Sequence, residues 1–331
     1  MPEELAQGSV TPHEWRPGAV CRSGKVDRVY PALAILPIGL FPATWVGGWC
    51  WTGLACAVFL GVLVLIAGNK AWPLVLIGSM PILFSLERGN PIWLSAAAAG
   101  LFLAWWEADT RTKRIVAAIC LAIATVLKIS PAVLGFLYLP GMIKARFSRE
   151  SMQMPIIAMI AGVLLFFLPW LATPDGFAGI PEFFENARGN AAGVSRLSAF
   201  GLIPFWRVGR VILGMDVNHA WPGMYGCIGV SQMLGLVAVT MGAFKKNDLL
   251  LVGGMLLAEG NMFYYGTLYL LCVLVLKQTR DGLSPMALIL WFVILCPLQV
   301  VVRGHDGNPF LCNIALMALM ALEVVRMRRS K

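Results

Sequence analysis

Charged side chains are scarce in this sequence. Only 13% of its 331 residues are Asp, Glu, Lys or Arg, and 59% are hydrophobic, whereas soluble domains carry about 25% charged residues. The mean hydropathy of +0.76 therefore excludes an ordinary soluble domain. Long apolar runs divided by short polar segments instead predict an all-α, polytopic transmembrane helical protein with roughly 10–12 membrane segments, some of them short hairpins.

Metal-ligating and disulfide patterns are also missing. The three histidines are far apart in sequence, no acidic pair has metal-ligand spacing, and of the eight cysteines only Cys21 lies in a polar stretch. We therefore expect no metal and no cofactor. The net charge of +9 lies mostly in short loops between apolar runs, where it favours a fixed membrane orientation over a nucleic-acid partner.

The polar and apolar segments divide the chain into two regions. Residues 1–28 form a polar N-terminal arm without a signal-peptide pattern. Residues 29–331 form a single transmembrane helical domain with an outer loop at 173–199. Proline and glycine interrupt residues 29–68, which form either two short spans or a re-entrant segment followed by one long span. We predict that Asn69 and Lys70 then break the helix.

Three short hairpins with polar tips are predicted, at residues 87–91, 127–131 and 259–261. Strongly basic loops and the C-terminal tail fall on the other side of the membrane, which the excess of Lys and Arg identifies as cytoplasmic. The prediction is an integral protein of the bacterial inner membrane with a cytoplasmic C-terminus. For residues 115–143, one bent span with a snorkelling Lys128 is the alternative to a hairpin.

Several short motifs follow one another in a recognisable order. Tyr30-Pro31 runs into a Leu-rich stretch, Arg88-Gly89-Asn90 opens a helix, and Lys128-Ile129-Ser130-Pro131 follows. Glu259 to Tyr265 form a later polar and aromatic break. In this order the chain resembles glycosyltransferase family 87, the polyprenol-phosphate-mannose-dependent mannosyltransferases of the GT-C superfamily. These motifs extend the resemblance over roughly residues 28–280, as in other multi-span folds.

The resemblance implies a GT-C-like fold and a transfer reaction. A hexose, usually mannose, would pass from a polyprenyl-phosphate donor to a lipid or glycan acceptor on the outer face of the membrane. It implies substrate contacts at Tyr30, Asn90 and Tyr265. The family has a first helix and an acid-bearing outer loop before the Tyr-Pro segment, and this chain shows no apolar run there. Either the true start lies upstream, or Asp27 or another acid substitutes, or the protein is degenerate.

A lipid-phosphate donor needs cations for its leaving group. Arg88 at a hairpin tip suits bidentate phosphate binding, unless it only pairs with Glu87 to stabilise the turn. Lys128 is the second cation. Arg207 lies three residues before Arg210 and shares its helix face, so it is either a third phosphate ligand or an interfacial anchor.

The reaction also needs a carboxylate that accepts the proton of the acceptor hydroxyl. The catalytic candidates are Asp27, Glu87 and Glu259, with a solvated loop acid or a helix-capping charge as the alternative for each. Asn90 suits both a helix N-cap before Pro91 and a sugar-hydroxyl contact. Further acids predicted on the outer side are Asp175, Glu182, Glu185 and Asp306.

Two functions remain open from the sequence. The first is a polyprenyl-phosphate-sugar-dependent hexosyltransferase whose partners are the donor, the acceptor and membrane lipids. The second is a non-catalytic lipid-sugar carrier, a transporter or a degenerate GT-C-fold protein, which would bind the lipid-linked sugar without turnover. Transporters often have two similar halves, and the sequence shows no convincing two-fold repeat.

Overall fold

The computed structural model describes most of the apolar part of the chain. It covers residues 33, 45–77, 82, 92–173, 175–185, 201–214, 222–259, 266–295, 301–302, 305–306 and 308–329. The α-helices within these residues are α1 (Trp45–Ala67), α2 (Ala71–Ile77), α3 (Ile92–Trp105), α4 (Arg111–Leu127), α5 (Leu139–Lys144), α6 (Arg149–Phe167), α7 (Ile203–Ile212), α8 (Pro222–Lys245), α9 (Asp248–Glu259), α10 (Thr267–Arg280), α11 (Pro285–Leu295) and α12 (Asn308–Arg329).

Helices dominate the described residues, and the prediction of an all-α polytopic membrane protein is confirmed. Among the described residues, four stretches are long and apolar enough to cross a membrane, namely Trp49–Val75, Arg149–Ala172, Gly226–Lys245 and Phe310–Arg328. The strands β1 (Val301–Val302) and β2 (His305–Asp306) are two residues each and pair antiparallel. This short pair lies between α11 and α12 in the chain.

The first span continues through the predicted break at Asn69 and Lys70. Helix α1 passes into a 3-10 turn at Gly68–Lys70 and then directly into α2. Gly68 adopts φ +57°, a conformation that glycine reaches without steric cost, and the Ala71 N–H bonds to the Gly68 carbonyl. The predicted break therefore coincides with the end of the α-helix, although the apolar stretch continues to Val75.

Contacts divide the chain into two compact units. Unit 1 comprises Met1–Val62, Ile82–Ala132 and Gln153–Gly193, and unit 2 comprises Leu63–Pro81, Val133–Met152 and Val194–Lys331. A single domain over residues 29–331 stays a prediction.

Helices α3 and α4 of unit 1 form an antiparallel pair. Small buried residues of α3, Ala96–Ala99, allow the close approach, and the Ser95 hydroxyl donates to the Ala124 carbonyl at 2.9 Å. Thr110 caps α4 by accepting the Lys113 N–H at 3.4 Å. The predicted hairpin of residues 115–127 with 132–143 was wrong, because α4 packs on α3 and residues 133–143 belong to unit 2.

The predicted outer loop at 173–199 contains folded structure where it is described. Residues 179–185 are helical, and Phe183 is buried against Trp170 with ring centroids 6.0 Å apart. Phe166 on α6 also contacts Phe183 at 6.0 Å. This aromatic cluster at the end of a membrane span is typical of the interfacial aromatic belt.

Unit 2 is built around the pairing of α8 and α9. A Cβ added to Gly235 would lie 2.6 Å from the Gly254 carbonyl oxygen, and one on Gly254 would lie 2.7 Å from the Gly235 carbonyl oxygen. The two backbones are therefore in direct contact, which is how small residues drive helix association in membranes. Helix α10 packs beside α9, as predicted for the third short hairpin.

One end of unit 2 carries a connected set of ion pairs. Lys277 Nζ lies 2.6 Å from Glu323 Oε1, and Arg280 Nη1 lies 2.7 Å from Asp248 Oδ2. The Asn247 amide donates to Glu323 Oε2 at 3.0 Å. These contacts join the ends of α10 and α12 to the start of α9, and we call them the ion-pair network.

Replacing Gly235 by alanine tests the backbone contact between α8 and α9. We expect Gly235→Ala to lower the free energy of unfolding by about 1–3 kcal/mol, because the new methyl group would overlap the backbone of α9. Gly61→Ala on α1 is the matched control, since a Cβ there meets nothing within 4 Å. Thermal unfolding in detergent measures both, and equal midpoints would contradict the packing.

Asp248 gives the stability of the protein a defined pH dependence. Burial raises the pKa of Asp248 to about 6, against the opposing effects of Arg280 and Lys277. The folded state thus binds this proton more tightly than the unfolded state, so the contribution is favourable at low pH and is lost as the pH rises from about 4 to about 6. We expect the thermal midpoint of the wild type to fall across this interval relative to Asp248→Asn. Parallel pH profiles for the two proteins would contradict this assignment.

Candidate functional site

Three of the residues proposed for the site lie within the described part of the chain. They are Lys128 at the end of α4, Arg207 in the middle of α7 and Glu259 at the end of α9. The other sequence candidates lie outside the described residues, namely Asp27, Tyr30, Glu87, Arg88, Asn90 and Tyr265. Their roles stay predictions.

Lys128 lies beside the start of α3. The Ala124 carbonyl accepts two hydrogen bonds, from the Ser95 hydroxyl at 2.9 Å and from the Lys128 N–H at 3.0 Å. Lys128 leaves the helix with extended backbone, at φ −152° and ψ 125°, and is half-buried. The start of α3, which follows residues 87–91 in the chain, therefore shares one end of unit 1 with Lys128.

Two polar atoms near this end of unit 1 are buried without a hydrogen-bond partner in the described structure. They are Nε1 of Trp93, in the first turn of α3, and Oγ of Ser130, two residues after Lys128. Trp93 is fully buried and its ring contacts Phe59 edge-on at 5.4 Å. Such atoms are uncommon in proteins, and within the described residues these two have no hydrogen-bond partner.

Helix α7 carries the second group of candidate cations. Arg210 is buried, and its guanidinium lies 4.9 Å from the centre of the Trp206 ring. Arg207 is half-buried, and burial lowers the pKa of its guanidinium. Within the part of the chain that the structure describes, Arg207 has neither a hydrogen bond nor an ion pair. Arg207 is therefore a partly desolvated cation that no described residue neutralises.

Glu259 lies at the opposite end of α9 from the ion-pair network. It is the last residue of α9 and is half-buried, roughly 17 Å along the helix from Asp248. The last turn of α9 also adjoins the chain that leads into α7, because a Cβ on Gly201 would lie 3.7 Å from the Leu257 carbonyl oxygen. The structure thus brings the start of the Arg207 helix to the end of the Glu259 helix.

The remaining described acids are less favourably placed for proton transfer. Asp175 and Glu185 are exposed, and Glu182 is half-buried in the helical residues 179–185 of unit 1. No group of three or more His, Cys, Asp or Glu residues among the described positions could hold a metal ion.

The sequence argument missed three polar residues that organise these segments, namely Ser95, Ser231 and Asn313. All three are buried within apolar helices. Isolated Ser and Asn side chains within the predicted spans were not among the candidates, although their hydrogen bonds are equally constrained in a membrane. Searching the predicted spans for isolated Ser and Asn residues would have found them.

Two serines of unit 1 test the hydrogen bonding around Lys128. We expect Ser95→Ala to lower the free energy of unfolding by about 1 kcal/mol, because it removes a buried hydrogen bond to Ala124. Ser130→Ala should cost nothing, because the hydroxyl it removes is buried and unpartnered in the described structure. Thermal unfolding in detergent compares the two, and equal destabilisation would contradict the arrangement.

Comparison with known proteins agrees with the resemblance drawn from the motifs. The family model for glycosyltransferase family 87 matches residues 29–263, which is most of the chain and includes Lys128, Arg207 and Glu259. No curated protein and no solved structure matches the chain. With its apolar spans and this match, the protein is a membrane glycosyltransferase that belongs to glycosyltransferase family 87.

Proposed function

We propose that this glycosyltransferase moves a hexose, mannose above all, from a polyprenyl-phosphate donor to a lipid or glycan acceptor on the outer face of the membrane. The observation that carries the proposal is Arg207, a half-buried guanidinium that no described residue neutralises. Removing a cation from water without a counter-ion is costly. A ligand that supplies an anion at this position removes that cost.

A lipid phosphate is the anion that suits Arg207 best. The guanidinium presents several N–H donors in a planar fork that matches the oxygens of a phosphate. A lipid-linked donor dissolved in the membrane brings its phosphate to the protein at the level of the membrane surface. In the proposed site Arg207 therefore binds the phosphate of the donor, and Arg88 and Lys128 remain predicted as further cations.

Glu259 is the described carboxylate best placed to accept a proton. It ends α9, where the helix dipole disfavours negative charge, so a helix-capping role does not explain it. In the proposed reaction Glu259 takes the proton of the acceptor hydroxyl, whose oxygen forms a bond to the anomeric carbon. The bond from that carbon to the phosphate oxygen breaks, and polyprenyl phosphate leaves with the electron pair, stabilised by Arg207.

The distribution of charge in unit 2 supports an outward-facing site. Lys245, Lys277, Arg280 and Arg326 lie at the same end of their helices as the ion-pair network, and the end of α9 lies away from them. By the positive-inside rule the basic end is cytoplasmic, together with the C-terminus, in a bacterial inner membrane. Asp27 and Glu87 stay predicted as alternative bases, and Tyr30, Asn90 and Tyr265 as substrate contacts.

Transfer assays on single variants test this proposal. The purified protein in nanodiscs is given radiolabelled polyprenyl-phosphate mannose, or another polyprenyl-phosphate hexose, with a membrane lipid extract as acceptor. We expect Arg207→Ala to raise the KM for the donor about ten- to a hundredfold, the loss of one or two charged hydrogen bonds, and Glu259→Gln to lower kcat at least a hundredfold.

Arg111→Ala is the matched control, because Arg111 is an exposed arginine in the basic loop at the start of α4. It should leave both constants unchanged. Unchanged donor KM in Arg207→Ala would overturn the assigned phosphate site. Donor binding by the wild type without any turnover would support the non-catalytic carrier instead.

A further inference from the structure

We propose that Asn313 and Ser231 are positioning residues for Arg207, and that they act by holding the chain at Gly201 and Leu202. We call Gly201, Ser231 and Asn313 the α7 clamp. The proposal rests on the proposed function, since it assigns the clamp a role through the phosphate-binding arginine. It adds residues from α8 and α12 that do not themselves contact the donor.

Asn313 binds both polar backbone groups of one residue. Its side-chain Nδ2 donates to the Gly201 carbonyl at 2.6 Å, and its Oδ1 accepts the Gly201 N–H at 3.0 Å. Asn313 is fully buried in α12. A contact at two points fixes the direction of the backbone as well as its distance from α12.

Ser231 supplies the next hydrogen bond along the chain. Its hydroxyl oxygen accepts the Leu202 N–H at 2.6 Å. Leu202 is the N-cap residue of α7, and no side chain of the cap residue itself bonds to the helix. Helix starts are usually stabilised by a local Ser, Thr, Asp or Asn, and here α8 and α12 supply the polar partners instead. The start of α7 is thus tied to helices distant in sequence.

Only glycine is compatible with this arrangement at position 201. Gly201 has φ +91°, and a Cβ there would lie 2.7 Å from Ser231 Oγ and 3.0 Å from its Cβ. A larger residue would therefore displace Ser231 and also strain the backbone. The same Cβ would lie 3.7 Å from the Leu257 carbonyl of α9, so the chain ahead of α7 passes close to the last turn of α9.

Arg207 lies between points at which α7 is anchored. Ahead of it, Ile203 is buried and Phe205 contacts Phe310 of α12 edge-on at 4.9 Å. After it, Arg210 and Val211 are buried. A helix of ten residues is marginal on its own in solution, so its position is set by such contacts. Moving the start of α7 therefore moves the Arg207 guanidinium.

If the α7 clamp had a purely structural role, a different experimental result would be expected. Buried backbone groups at membrane depth need partners in any case, so loss of the clamp must lower stability under either role. A positioning role also requires that donor recognition depends on the clamp through Arg207, because displacement by about 1 Å in such a site can cost up to a hundredfold in rate. The two roles are separated by comparing stability with donor KM.

Asn247→Ala is the matched control for Asn313→Ala. Asn247 also makes two side-chain hydrogen bonds, to Glu323 Oε2 and from the Leu250 N–H, both at 3.0 Å, but it lies in the ion-pair network at the far end of unit 2. Both variants should lower the thermal midpoint. We expect only Asn313→Ala to raise the KM for polyprenyl-phosphate mannose, about tenfold, and Ser231→Ala to raise it less.

The double variant Arg207→Ala/Asn313→Ala decides the mechanism. If the clamp acts through Arg207, the donor KM of the double variant equals that of Arg207→Ala alone. Effects of the two substitutions that multiply independently would overturn the proposal. The proposal also fails if Asn313→Ala has the same donor KM as Asn247→Ala. If Asn313→Ala does not fold, Ser231→Ala is compared with Asn247→Ala instead. If Arg207→Ala itself leaves donor KM unchanged, the proposed phosphate site fails first.

Discussion

The satisfaction of backbone polar groups away from water is the constraint on which this structure depends. In hydrocarbon an unpaired N–H or C=O costs several kcal/mol, so each interruption of a helix requires a partner from elsewhere in the protein. At the end of α4, the Ser95 hydroxyl of α3 donates to the Ala124 carbonyl, which also accepts the Lys128 N–H of its own helix. Asn313 and Ser231 meet this need for Gly201 and Leu202. The candidate cations Lys128 and Arg207 follow these stabilised interruptions.

The charged side chains of unit 2 differ in whether a described residue of opposite charge pairs with them. At the basic end each described charge in the network faces an opposite one, as Lys277 faces Glu323 and Arg280 faces Asp248. On α7, Arg207 has no counter-ion among the described residues. Lys277 and Arg280 are thus neutralised within unit 2, whereas the described residues supply no anion to Arg207, where a substrate phosphate is proposed to bind.

Composition and hydropathy predicted the all-α membrane fold because the cost of exposing backbone and charge in lipid is largely independent of tertiary detail. Motif order likewise predicted the family. Helix pairing was harder to predict, since apolar periodicity does not say which helix packs on which. Only the structure shows that α4 packs on α3. Asn313 and Gly201 are 112 residues apart, so no local pattern could have joined them.

Glycosyl transfer requires that the group holding the leaving phosphate and the group taking the proton keep their separation while the hexose moves between them. In the proposed site these groups are Arg207 on α7 and Glu259 on α9, two helices that are separated in the sequence by α8. Gly201 precedes α7, its backbone is held by Asn313 of α12, and a Cβ at this position would lie 3.7 Å from the Leu257 carbonyl of α9. A short helix anchored in this way gains its rigidity from neighbouring spans rather than from its own length. The same contacts that satisfy the backbone can therefore set the geometry of the reaction.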